Sequence, residues 1–234
     1  MSTRPVPVPE RLTIAFVVLT ADPLDRDDLV PLPERTLLRL RGSSVADLDR
    51  MTELPHQRLV SATLEPDQVR DVWHELRREA LALAAEHDGL ALDLQIPRVV
   101  TGSPGDPAPN AVDWFSFEYD PERPEDIRTH GLTVLGLPEI VVHGVPEDRR
   151  PMYDMVVVGL VQRLLEEWPE NDPVGPAHVT LADIAAGYEG DLSPAPGAQP
   201  GVGVLIDYDA DEHVLVAEVV DDPRSALFGG GPQA

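Results

Sequence analysis

Cysteine and lysine are both missing from this chain of 234 residues. Without cysteine there is no disulfide and no thiolate nucleophile, and a cytoplasmic location is the simplest expectation. Without lysine there is no Schiff base and no Walker-type phosphate-binding lysine, and all 18 basic residues are arginine. No apolar run approaches the roughly 20 residues needed to span a bilayer. The opening Met-Ser-Thr-Arg-Pro-Val-Pro-Val-Pro-Glu has neither an apolar stretch nor a small-residue cleavage site, so no secretory signal is expected. Nucleophile signatures are missing too. There is no G-x-S-x-G elbow, no Ser-x-x-Lys pair, and no G-x-G-x-x-G after a strand.

What is present in excess is negative charge: 42 Asp and Glu give a net charge of −24. Such a surface repels nucleic acid and anionic membranes over a Debye length of roughly 8 Å, so neither is expected as a partner. It suits a basic protein partner. It equally suits plain solubility, and lysine-free, Arg- and Ala-rich usage resembles what a GC-rich genome encodes. The oligomeric state is not encoded in any pattern.

Hydrophobic periodicity and turn chemistry divide the chain. Met1–Arg11 reads as an extended arm with three alternating prolines, and Leu12–Thr20 as a β-branched strand. A loop follows to Pro33. Thr36–Arg41 is a strand candidate, Ser44–Met51 a short helix with Ser44 as N-cap, and His56–Leu64 another strand. Pro66–His87 is the clearest helix, with Val69, Trp73, Leu76, Ala80 and Leu83 on one stripe. Leu90–Val100 returns to period two, with Leu90, Leu92, Leu94 and Ile96 on one face. Thr101–Asn110, half Gly and Pro, is the best internal boundary. Beyond it come an aromatic strand Trp114–Tyr119, an acidic turn Asp120–Asp126, a strand Glu139–Val145 and a helix Glu147–Trp168. Consecutive β-branched residues at Met155–Val158 leave strand as an alternative there. Val202–Ile206 and His213–Val219 read as an antiparallel pair around an acidic turn, and Gly229–Ala234 as a disordered tail. The expected fold is α+β: a mostly antiparallel sheet with two principal helices packed on it. A single domain over 12–228 is favoured, with 101–110 as a sub-boundary.

Residues Thr129–Glu139, with Ile140 following, read T-H-G-L-T-V-L-G-L-P-E-I. This resembles the "T-x-G-L-x-x-h-G-x-P-E-h" signature (h, apolar) of bacterial domain-of-unknown-function family 4261, and less closely that of family 4262. The resemblance covers roughly Pro66–Trp168 and rests on Thr129, Gly131, Leu132, Gly136, Pro138 and Glu139. It implies a kin group and carries no activity with it. Physically, Gly131 and Gly136 permit positive φ or close backbone contact, and Pro138 fixes the chain before Glu139. Either the segment is a tight turn whose amides Glu139 binds, or Thr129, His130 and Glu139 line a ligand pocket.

Elsewhere the chemistry is incomplete. Pro176–Leu181 holds one H-x-T element, His178 with Thr180, of the kind two-histidine phosphoesterases use in pairs. No second copy exists, and the bland reading is a cap on the segment Leu181–Ala186. His74 and His87 are too far apart on one helix to share an ion. His130 and His143 could approach each other near Glu139 or Asp113, but no compact metal motif exists. Asp207, Asp209, Asp211 and Glu212 superficially suit calcium, yet lack the central Gly and distal Glu of a calcium loop. No catalytic residue, metal or cofactor is therefore expected. The favoured function is a non-enzymatic acidic interaction module, immunity-, antitoxin- or regulator-like. The alternative is a small-molecule-binding or hydrolytic enzyme using Thr129, His130, Glu139, His143 and His178.

Overall fold

The computed structural model describes residues 5–105, 110–118, 120–189 and 200–229. It is α+β and divides into two compact units. Residues Pro9–Ala108 form the first; the second combines the residues before Pro9 with those from Pro109 onward. The division falls inside the Gly/Pro-rich segment 101–110. Each unit has its own sheet, where the sequence favoured one continuous domain.

The first unit is built on β1 (Leu12–Thr20). Helices α1 (Arg35–Leu40) and α2 (Val45–Arg50) lead to β2 (His56–Leu64), the long α3 (Val69–Glu86), β3 (Leu90–Asp93) and β4 (Arg98–Val99). The four strands are antiparallel in the order β2-β1-β3-β4, with Leu12 opposite Leu64 and Thr20 opposite His56. β1 reads as a continuous apolar run because both of its faces are covered. Val17 and Leu19 pack with Leu92, Val99, Leu38, Leu48 and Leu54, under α1 and α2. Phe16, on the other face, meets Trp73 of α3 at 5.5 Å.

Three sequence expectations change here. Thr36–Arg41 is helical, not a strand. The missed signal is Gly42, whose φ of 94° ends α1 while the Ser43 amide reaches back to the Leu38 carbonyl. The α3 stripe turns slightly, burying Leu81 and Ala84 rather than Leu76 and Leu83. Leu90–Val100 is a tight hairpin, because Asp93 binds the amides of Gln95 and Ile96 and folds the chain back. Ser44 caps α2 as expected, accepting the Asp47 N–H at 3.0 Å.

The second unit holds α4 (Ala111–Trp114), β5 (Ser116–Glu118), β6 (Ile127–His130), β7 (Glu139–Val142), α5 (Arg150–Glu167), β8 (Gly175–Thr180), α6 (Leu181–Glu189), β9 (Gly201–Asp209), β10 (Val214–Val219) and α7 (Pro223–Phe228). The sheet order is β5-β6-β7-β10-β9-β8. Only β7 and β10 run parallel; the remaining neighbours are antiparallel. α5 is buried along Val156–Val161, so its β-branched run is a core helix and the strand alternative falls. Glycines let α6 approach it. A Cβ on Gly159 would lie 2.6 Å from Val179 Cγ1, and one on Gly187 2.7 Å from Val158 Cγ1.

Trp114 closes α4 instead of opening a strand, since Asn110 and Asp113 form a capping box ahead of it. The expected residue Tyr119 lies outside the described residues, as does 230–234 of the expected tail. Within the N-terminal segment Val6 is fully buried, and its N–H donates to the Asp172 carboxylate at 3.3 Å. Among the described residues no helix is long and apolar enough to cross a membrane.

Candidate functional site

The five candidate side chains do not converge. Thr129 and Glu139 do meet, across the β6–β7 turn. The Thr129 hydroxyl donates to Glu139 Oε2 at 2.7 Å and accepts the Ile140 N–H at 2.8 Å. Glu139 Oε1 accepts the N–H of Gly131 at 2.8 Å and of Thr133 at 3.5 Å. Gly131 and Gly136 both have positive φ, 126° and 73°, around the 3-10 turn Leu132–Leu135. The carboxylate is thus occupied by the turn it closes, which is the structural alternative raised for this segment.

His130 is half-buried at the end of β6, opposite Ser116. His143 follows β7 at the other end and bonds Asp126, four residues before His130; roughly 13 Å of strand separates the two histidines. His178 lies on β8, three strands from β7 and so about 14 Å away. Its partner in the H-x-T element, Thr180, accepts the Asp183 N–H at 3.2 Å and donates to that carboxylate at 2.8 Å, an N-terminal cap for α6. In the acidic turn, Asp209 accepts the amides of Asp211 and Glu212 at 2.8 and 3.0 Å. Among the described residues no group of three His, Asp or Glu side chains could hold a metal ion.

One polar constellation is both built and accessible. His143 Nδ1 lies 2.8 Å from Asp126 Oδ2, and Asp126 Oδ1 accepts the Gly144 N–H at 3.1 Å. The Asp126 side chain is 12% exposed and that of His143 51%. Burial works to raise the Asp126 carboxyl, but the bonds from His143 and Gly144 outweigh it and hold the group below the ordinary carboxylate range. Arg150, at the start of α5, clamps the loop by donating to the carbonyls of Pro124 at 2.7 Å and Asp126 at 3.0 Å.

Beside this pair opens a cavity of about 510 Å³ lined by Pro124, Glu125, Val145, Glu147 and Arg150. A second cavity, about 320 Å³, is lined by Asp148, Arg149, Met152, Asp222, Pro223 and Arg224. The segments around them leave the carboxyl ends of β7 and β10, the two parallel strands. Ligands of α/β sheets commonly bind outside such strand ends, which is an analogy of position and not of chemistry. Chemically, a carboxylate on Nδ1 orients an imidazole and leaves Nε2 for solvent or a ligand.

No family model, no curated protein and no solved structure matches the chain. Sequence reasoning missed Asp126 and Arg150. Asp126 was read as the end of an acidic turn, and its sequence separation of 17 from His143 gave no periodic signal.

Proposed function

We propose that the protein is a non-enzymatic interaction module, immunity-, antitoxin- or regulator-like, whose second unit meets a basic protein partner. The supporting observation is the placement of charge. The second unit carries 24 of the 42 acidic residues and 7 of the 18 arginines, a net −17, against −7 for the first. Charge of one sign steers a partner of the other and sets association rate and salt dependence. The dispersal of the five candidate side chains, two of them occupied in a turn, favours this reading over catalysis.

The test is affinity capture with the full chain and with a quadruple variant, Asp207→Asn, Asp211→Asn, Glu212→Gln and Glu218→Gln, all exposed positions. A single basic protein should be retained at low salt, released by high salt and lost with the variant. Absence of a partner, or binding indifferent to salt, overturns the proposal.

The second reading, a hydrolytic site, narrows to His143 as a general base oriented by Asp126 at the larger cavity. It requires activity on an activated ester that His143→Gln abolishes. Equal rates for the two proteins remove it.

A further inference from the structure

The first unit contains a carboxylate that the proposed interaction does not use. Asp93, the last residue of β3, is 1% exposed. Its Oδ1 accepts the N–H of Gln95 at 2.8 Å and of Ile96 at 3.1 Å, and these two bonds shape the turn into β4. Its Oδ2 is buried with no hydrogen-bond partner. The residue in register on β1 is Phe16, which packs on Trp73, so β1 offers an apolar neighbour and no charge. The charges facing Asp93 are Arg98, opposite it on β4, and Arg77 on α3, whose Nη2 donates to the Thr101 carbonyl at 2.8 Å.

A buried carboxylate oxygen without a partner carries the full cost of its lost hydration, and a proton removes the charge and with it the larger share of that cost. We propose that Asp93 is a proton-binding switch that closes the β3–β4 hairpin when protonated and loosens it when ionised. The protonated group keeps Oδ1 as acceptor for both amides and leaves no net charge in the dry site. The ionised group is relieved by opening the turn, which admits water to Oδ2. Opening breaks the bonds that hold β4 down: the Val99 N–H to Ser43 Oγ at 2.9 Å, and the Val100 N–H to the Ala91 carbonyl at 2.8 Å.

Burial pushes the Asp93 carboxyl up to about 6, against the pull of the two amides, Arg98 and Arg77. The folded hairpin therefore binds the proton more tightly than the unfolded chain, whose value is near 3.8. Stability from this source is full below that unfolded value and is lost as pH rises through about 6.

The test uses the full chain with two readouts. Titration of the Asp93 side-chain carboxyl carbon by NMR should give a midpoint near 6. Amide exchange at Gln95, Ile96 and Val100, corrected for intrinsic rates, should show about tenfold greater protection at pH 5 than at pH 7.5. In Asp93→Asn that pH dependence should vanish. A midpoint at or below the ordinary carboxylate value, or equal protection at both pH values in the unaltered chain, overturns the proposal. Both readouts on the unaltered chain decide the matter even if the variant does not fold.

Discussion

In the first unit the carboxylate that shapes a strand turn, Asp93, is closed off from water with one oxygen unpartnered; in the second its counterpart, Asp126, shares a histidine and a backbone amide. Both are aspartates next to a strand end; Asp93 binds two amides of the turn that follows it, and Asp126 binds the amide of Gly144, beyond β7. Burial acts upward on each, yet Asp93 is raised and Asp126 is lowered. Burial alone therefore does not set the direction. Asp93 is the more deeply buried and one of its oxygens has no donor, whereas both oxygens of the more accessible Asp126 find one. The same contrast runs through the sheets. β1 is an apolar strand covered on both faces, whereas in the second unit the unbroken buried run Val156–Val161 lies in the helix α5.

The largest expected effect comes from emptying either core. Trp73→Ala, which removes the ring packed on Phe16, should cost about 3–5 kcal/mol and accelerate amide exchange in β1 and β2. Trp114→Ala, equally buried in the second unit, should cost a similar amount, read in α5 and α6. If either substitution left its own unit's exchange unchanged, the assignment of separate cores would fail.

A finer comparison uses two glycines. A Cβ on Gly89 would stand 2.2 Å from the Leu19 carbonyl oxygen, while one on Gly159 would meet the Val179 and Ile184 side chains at 2.6 and 2.8 Å. Backbone cannot yield as a rotamer can. Both alanine variants should lose about 1–3 kcal/mol in denaturant titrations, with Gly89→Ala the worse of the two. Thr129→Val, which removes the hydroxyl between Glu139 and the Ile140 amide, should cost about 1–3 kcal/mol by the same measurement.

Acidification gives the smallest and most discriminating effect. From pH 7.5 to pH 5 the Asp93 hairpin should tighten, while the Asp126 carboxylate stays ionised. Because the folded Asp126 value is depressed, its contribution is present above the unfolded value of 3.8 and is lost only as pH falls through the lower folded one. His143→Gln should move the Asp126 midpoint upward in a carboxyl titration. An unmoved midpoint would assign the depression to the Gly144 amide instead.

Much of the fold was legible along the chain. β1 and β2 were readable end to end because β-branched runs are bounded by Pro and Asp. The two 18-residue helices carried their starts in Pro66 and Pro151. Where the reading failed, a local signal was outweighed. The six residues of α1, three Leu, two Arg and Thr36, hold no resolved period, so Gly42 decides. The alternation over Leu90–Val100 conceals a turn that Asp93 makes with its own side chain. β6, four residues long, was not read as a strand at all.

The candidate site shows the sharper divide. By itself the sequence determined the α+β class, the principal elements, the excess of acid, and the turn in which two positive-φ glycines flank Leu132–Leu135, because these follow from local conformational preference and composition. Only the tertiary structure decided that Glu139 is spent on backbone amides, that His178 stands three strands from β7, and that Asp126 meets His143. Those facts depend on strand order and register, which bring together groups that no spacing along the chain relates.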